Sequence, residues 1–489
     1  MILEGQKIAT ANEMARVEKL AYSQGHSDAQ FMDNAADAIA EILEAYIEKY
    51  GLEKHVLLLT GKGNNAGDAF TAGLRLLENK FSVAAFPLYP REACSPLCQQ
   101  RYEQFEKAGG KIHPVGTFTF GSKGVILDGI VGTGFQGKAE GILKSAIIQA
   151  NQSKLPILAI DIPSGVNGNT GEVGSVAINA AQTIYLGLPK IGFFIGNGWD
   201  HVGELVQADF GLPAKFTDQA QAEAYLLNEQ NLFLPPIKRS RHKYEAGYVL
   251  GVAGSKAMGG AALLSSLAAL RSGAGIVRLF HAPDMHESAF PLELIKEVCD
   301  QDRILEECKR AASLFIGPGL GRTKEVKKIL KQLMPQLNLP AVCDADALFF
   351  LDECDLPKNC ILTPHRREME RLLSGQPVSL SQCQAYAEQK NATIVLKGGP
   401  SFVFHPRTRP LVVARGDPGM ATAGTGDVLT GVIAAMAAQK CDLRTAAALG
   451  TYLHGVAGEM AALDKTSYSM IASDVIDSLP HAIARLIPL

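Results

Sequence analysis

The stretch HVLLLTGKGNNAGDAFTAGLRLLENKFSVAAFPLY, residues 55–89, sets the pattern of the fold. An apolar run at 55–60 ends in a glycine-rich turn, a helical pattern follows over 68–79, and a second apolar run occupies 81–89. Outward from it the unit repeats. GVILDGIVG at 124–132, PILAIDIP at 156–163, TIYLGL at 183–188 and GELVQADFG at 203–211 read as strands, with helical patterns at 33–50, 94–109 and 140–152. Such alternation predicts an α/β architecture, a mostly parallel sheet with helices on both faces. Ligands in these sheets bind beyond the carboxyl ends of the strands, where the glycine-rich and acidic turns lie.

Residues 212–240 break the rhythm. Their Ala/Gln-rich start and Pro235-Pro236 read as a connector, with a short helix expected over 218–228. A second series follows: GYVLGVAG, GIVRLF, SLFIGPGLG, PAVCDADAL, CILTPH, TIVLKGG, SFVFH and PLVVARG, closed by helices at 427–438, 444–463 and 473–486. The expected organisation is two tandem three-layer αβα domains, residues 1–217 and 226–489.

Composition narrows the function. The chain has 489 residues, 47% apolar and 20% charged, which is globular rather than disordered or fibrous. Lys plus Arg total 47 against 50 Asp plus Glu, a balance that disfavours a general nucleic-acid binder. The opening MILEGQKIATANEMARVEKLA lacks the apolar core of a signal peptide. The Ala-rich stretch around 430–462 is broken by Lys440, Asp442, Arg444 and Glu459, so no membrane span is expected. Nine dispersed cysteines point to reduced thiols in the cytoplasm. Cys94 and Cys98 are the closest pair, with no second pair or His cluster to complete a zinc site.

In the first series, GKGNNAGDAF at 61–70 joins a strand to a helix whose free N–H groups point at any anion above it. Asn64, Asn65 and Asp68 add polar groups that an ordinary turn seldom collects. The motif is not G-x-G-x-x-G, so redox use of NAD is not supported. DGIVGTGFQGK at 128–138 repeats the logic, with Gly132, Gly134 and Gly137 allowing close approach to phosphate and Lys138 supplying charge. DIPSGVNGNTG at 161–171 presents Asp161 and Ser164 at a third strand end. Partial burial of Asp161 favours a raised pKa suited to acid/base work, the alternative being a turn or capping aspartate.

In the second series, DPGMATAGTGDVLTG at 417–431 is the strongest signal. AGTGD before a helix gathers backbone N–H groups around a small anion, with Asp427 at the rim. Phosphoryl transfer to an alcohol needs that combination, a nest for the transferred charge and a carboxylate for the hydroxyl proton. The alternative is a glycine-rich turn capped by Asp427. GPGLGR at 317–322 can lie against a substrate, and LKGGPS at 396–401 offers Lys397 and flexible glycines to a nucleotide. TPHRREMERLL at 363–373 places His365 and Glu368 at a helix start, where His365 serves either a pocket or a cap. No G-x-x-x-x-G-K-[ST] is present, which excludes a P-loop kinase.

Together these residues resemble two fused modules along nearly the whole chain. Through GNNAGD, GTGFQG and DIPSG the first resembles the NAD(P)HX epimerase domain, which is Rossmann-like. Through GPGLG, TPHRRE, LKGG and PGMATAGTGD the second resembles ADP/ATP-dependent NAD(P)HX dehydratase, of the ribokinase-like superfamily. Ala66 stands where the first loop usually has glycine, and Tyr244 where an HKG pattern has glycine.

The resemblance implies that the substrates are NADHX and NADPHX, hydrated at the nicotinamide ring. It implies that Asn64, Asn65, Ala66, Gly67 and Asp68 bind the dinucleotide together with Gly132, Thr133, Gly134, Phe135, Gln136, Gly137 and Lys138. Asp161 would be the catalytic residue at the substrate, and Asn65, Asp128 and Ser164 would bind K+. In the second module Ala261, Gly319, His365 and the catalytic Asp427 would contact substrate. Lys397, Gly398, Gly399, Pro400, Ser401 and Gly426 would bind ADP or ATP with Mg2+, ADP being usual for prokaryotic members with both domains. A homo-oligomer is expected, with no nucleic-acid or membrane partner. The rival reading is a small-molecule alcohol kinase of the same superfamily with a non-catalytic N-terminal binding domain.

Overall fold

A computed structural model describes residues 2–285 and 290–487. The chain divides into two compact units, Gln6–Ala224 and Met1–Gly5 with Tyr225–Leu489.

In the first unit His55–Thr60 is an inner strand of a seven-stranded parallel sheet. The order is Lys111–Ile112, Ser82–Pro87, His55–Thr60, Val125–Gly129, Ile157–Ile160, Gln182–Leu186, Glu204–Ala208. Chain order reverses between His55–Thr60 and Val125–Gly129, which makes their carboxyl ends the switch point where such sheets bind ligands. The strands are continuously apolar because both faces are covered. Val56, Leu58, Val125 and Leu127 enter one core with Ile39, Leu43 and Phe70. Leu57, Leu59, Ala84 and Ile126 alternate into the other, with Ala146 and Ile147 of the helix Gly141–Gln152.

The second unit has an eleven-stranded sheet. From Ile295–Val298 it runs through Ile276–His281, Tyr248–Val252, Ser313–Ile316, Ala341–Cys343 and Cys360–Leu362 to Thr393–Leu396, all parallel. Ser401–Phe404 and Leu411–Val413 continue it antiparallel. Helices Gly259–Arg271, Thr425–Ala438, Leu443–Lys465 and Ala472–Ala484 pack a shared core against Val249, Val277, Phe315 and Val342.

Beyond Leu411–Val413 the chain departs from expectation. The helix anticipated over 218–228 is absent, and Ala224–Leu227 is a strand parallel to Leu411–Val413. Tyr225 N donates to Pro410 O at 2.9 Å and Asn228 N to Leu3 O at 3.0 Å. A short apolar quartet next to an open sheet edge gains more from pairing than from its local helical preference. Glu4–Ile8 is the outermost strand. Its Leu3 neighbour is buried with Leu227, Leu232 and Leu411, and Glu4 pairs with Arg444 at 2.6 Å.

Leu3 therefore belongs energetically to the second unit. Leu3→Ala is expected to cost about 2–4 kcal/mol and to lower that unit's Tm by roughly 5–10 °C. Differential scanning calorimetry should show the Gln6–Ala224 transition unmoved; a shift confined to that transition would contradict the assignment.

Candidate active sites

At the switch point of the first sheet the backbone is packed too tightly for a side chain. A Cβ on Gly61 would lie 2.0 Å from Ile130 O. The turn delivers Asn64, Asn65, Ala66, Gly67 and Asp68 into the first turns of the helix Asn64–Glu78, whose N-cap Gly63 leaves the end free of a side-chain cap. Ala66 is buried inside that helix with ordinary backbone angles, so its departure from glycine is accommodated. Gly67 packs on Met32, which a Cβ would approach to 2.5 Å.

Asp128, at the end of the neighbouring strand, is fully buried. It accepts from Ser164 N at 2.8 Å, Ser164 Oγ at 2.7 Å and Ile130 N at 3.2 Å. Burial pushes its carboxyl up to about 6, against the pull of those hydrogen bonds. Asp161 follows Ile157–Ile160 with φ +65°, a left-handed conformation that costs a non-glycine residue about 1–3 kcal/mol. One carboxylate oxygen pairs with the ammonium of Lys190; the other lies 3.3 Å from where a Cβ on Gly132 would stand, and Asn65 approaches the same point to 3.5 Å. Three strand ends thus bring Asn65, Gly132 and Asp161 together. The loop beyond exposes Gly134, Gln136, Gly137 and Lys138, with Thr133 and Phe135 half-buried.

Lys190 and Glu18 were not anticipated from sequence. Lys190 stands in LGLPKIG, just past a strand end, so the rule that singled out the three turns would have reached it. Burial and the Asp161 carboxylate push Glu18 up to about 7, with Lys190 opposing. Asp68 is held well above the usual carboxylate range by burial, then by Asp161 and Glu18.

In the second unit AGTGD is the turn into a helix. Gly424 has φ +95°, and a Cβ there would strike Leu264 at 2.5 Å. The helix Thr425–Ala438 starts at once, with Asp427 in its first turn. Lys397 Nζ lies 3.4 Å from the Cβ position of Gly426 and donates to Asp344 Oδ1 at 2.7 Å, while Thr430 Oγ1 donates to Asp344 Oδ2 at 2.7 Å. Burial, then the Asp344 carboxylate, pushes Asp427 up to about 7, with Lys397 opposing. Asp344 escaped the sequence reading although it too ends a strand. So did the buried His454, whose Nε2 bonds Thr425 O at 2.9 Å and whose ring burial pushes down to about 4.

Gly319 (φ +62°) and Ala261 adjoin, a Cβ on Gly319 falling 3.2 Å from that of Ala261 and 2.4 Å from Met258 O. Gly398 and Gly399 are exposed beside Lys397, Pro400 is buried, and Ser401 Oγ donates to Gly398 O at 3.1 Å. His365 caps the helix Arg366–Leu372: Glu368 N donates to its Nδ1 at 3.2 Å, and Glu368 accepts from His365 N at 2.9 Å. Its ring is half-exposed, and its backbone is bridged to Lys397. Tyr244 packs edge-on to Tyr248, with Arg310 over its ring, which explains a side chain where glycine is usual.

Comparison with known proteins identifies both modules. Residues 249–481 match the family model described as NAD(P)H-hydrate dehydratase, and residues 28–192 match that of the YjeF-related protein N-terminus. A bifunctional NAD(P)H-hydrate repair enzyme of Moorella thermoacetica is 32% identical, the alignment covering 98% of this chain and 97% of the relative. The chain belongs to the bifunctional NAD(P)H-hydrate repair enzyme family. Within that family the Escherichia coli relative is 31% identical over 88% of this chain and 85% of its own. Among solved structures, the ADP/ATP-dependent NAD(P)H-hydrate dehydratase of Bacillus subtilis, co-crystallised with ATP and Mg2+, is 29% identical. It covers 52% of this chain and 95% of its own, with a TM-score of 0.47. Both units are α/β with largely parallel sheets, and the two matched modules follow in the order read from the sequence.

The burial of Asp128 has a measurable consequence. Its pKa is higher folded than unfolded, so the folded state binds more protons between about pH 4 and 6, and this group's contribution to stability falls as pH rises through that window. Asn does not titrate. In potassium-free buffer the stability of Asp128→Asn relative to wild type should therefore improve from pH 4 to 6, by up to about 3 kcal/mol, and be flat above. A relative stability of Asp128→Asn that falls or stays constant over that range in denaturant titrations would refute this.

Proposed function

We propose that the two sites act in turn on one damaged dinucleotide, with Asp161 and Asp427 as their proton-handling groups. The chain is an NAD(P)HX repair enzyme with epimerase and dehydratase activities. The observation that carries the residue assignment is Asp161: a non-glycine residue at φ +65°, one oxygen held by buried Lys190 and the other turned toward Asn65 and Gly132. Energy is spent to hold that carboxylate where turns 64–68 and 132–138 receive a dinucleotide.

The hydroxyl of the substrate sits on a ring carbon bonded to nitrogen. Asp161 takes its proton, the carbon–oxygen bond becomes a carbonyl, and the carbon–nitrogen bond opens with its electron pair left on nitrogen. Reclosure on the other carbonyl face returns the proton and inverts the centre, with no redox change. Asn65, Asp128 and Ser164 offer amide, carboxylate and hydroxyl oxygens suited to K+. The buried Asn65 Nδ2 has no hydrogen-bond partner among the described residues, which leaves the amide free to turn its oxygen to a cation. Potassium, when bound, would supply positive charge beside the dinucleotide.

In the second unit Asp427 takes the hydroxyl proton as the oxygen attacks the terminal phosphorus of ADP or ATP, releasing AMP or ADP. The AGTG nest, Gly426 and Lys397 face the transferred charge, and Lys397 to Ser401 border the nucleotide. Phosphate then leaves with the carbon–oxygen pair, and a proton lost from the adjacent ring carbon leaves its pair as the ring double bond. Magnesium, when bound with the nucleotide, would neutralise phosphate charge. Gly319, Ala261 and His365 border the substrate side. We assign ADP as the usual donor, a cytoplasmic setting in keeping with nine unpaired cysteines, and a homo-oligomeric assembly.

The deciding experiment mixes both NADHX epimers with enzyme, Mg2+ and ADP or ATP, and follows the reduced-nicotinamide absorbance. Complete conversion with free phosphate supports the reading; a stable phosphorylated product would favour an alcohol kinase. Asp161→Asn should slow epimerisation on the order of 100-fold or more. Asp427→Asn should slow dehydration about 100- to 10,000-fold, with nucleotide affinity and epimerisation retained. Since Asp427 acts ionised and is pushed up to about 7, dehydration should fall as pH drops below 7. A flat profile from pH 5 to 8 would rule out this base.

A further inference from the structure

Lys190 is 1% exposed at its side chain, and lysine is almost never so buried without a partner. Its backbone is pinned by a bridge to Ala9, with Ile191 N donating to Ala9 O at 2.8 Å. Its stem lies along Gly168, where a Cβ would come within 3.8 Å, and its Nζ donates to Leu186 O at 2.8 Å and to Asp161 Oδ1. The ammonium has one place to be. The carboxylates of Asp161 and Glu18 act on it, and Asp68 acts in turn on both of them, with Arg101 opposing at Asp68. Only Asp161 receives its hydrogen bond. Buried ion pairs are poor stabilisers, since apolar residues of equal volume often do as well. This one is attached to the residue whose backbone is strained, and it leaves Asp161 Oδ2 facing Gly132.

We infer that Lys190 is a positioning residue of the epimerase, holding Oδ1 of Asp161 so that Oδ2 meets the substrate hydroxyl. The inference rests on Asp161 being the epimerase base. Lys190 itself does not reach the substrate. When Asp161 accepts the hydroxyl proton at Oδ2, the ammonium keeps its hydrogen bonds to Oδ1 and Leu186 O, and the proton returns the same way on ring closure.

The test measures epimerisation by the full chain, without nucleotide, from a single NADHX epimer. Lys190→Met should lower kcat on the order of 100-fold while KM for NADHX stays within about twofold, because the dinucleotide turns are untouched. Lys190→Arg, which keeps the charge, should recover most of that loss. Asp161→Asn combined with Lys190→Met leaves no unpaired buried charge and should be no slower than Asp161→Asn alone, because residues acting through one another are non-additive. If Lys190→Met unfolds the first unit by circular dichroism, the double variant and Lys190→Arg still decide. Wild-type kcat in Lys190→Met, a loss confined to KM, or a double variant well below Asp161→Asn would overturn the inference. Full activity in Asp161→Asn would instead overturn the base assignment itself.

Discussion

Each unit takes an aspartate and a lysine out of water together at the end of a parallel strand. Asp161 with Lys190 and Asp344 with Lys397 are the two pairs, each aspartate being almost fully buried. Removing such charges from water is expensive, and mutual attraction returns the cost only when geometry and further hydrogen bonds are good. The structure meets that condition through Leu186 O in the first unit and Thr430 Oγ1 in the second. The surrounding glycines, helix starts and close backbone contacts keep those geometries.

The two pairs differ in what they leave available. Asp161 has one oxygen free of the lysine and turned toward Gly132, so the paired carboxylate still presents an acceptor at the glycine-rich turn. Asp344 has both oxygens occupied, and the carboxylate pushed up, by burial and by Asp344, is Asp427. In the second unit the paired aspartate therefore tunes its neighbour and anchors Lys397 beside Gly426. Strand-end placement is shared, but the division of labour is not.

Much of this was legible beforehand for a physical reason. Strands buried on both faces read as unbroken apolar runs, and parallel connections force helices between them, so the alternation from 55 to 211 translates directly into the seven-stranded sheet. Turns at strand ends must be glycine-rich where backbones touch, as Gly61 does against Ile130. The motifs at 61–70, 128–138, 161–171 and 417–431 were visible on that account. The segment 218–228 misled because its local composition favours a helix, whereas Ala224–Leu227 takes its structure from Leu411–Val413, far along the chain.

The sequence by itself determined the α/β class, the tandem order, the glycine-rich strand-end turns and the aspartates within them, because periodicity and turn chemistry are local. Only the tertiary structure decided that Glu4–Ile8 completes the second sheet, that Lys190 pairs with Asp161, that Asp344 holds Lys397, and that His365 caps a helix. Those outcomes depend on which distant segments meet and which charges lose water when they do. Neither quantity is encoded in any short window of the chain.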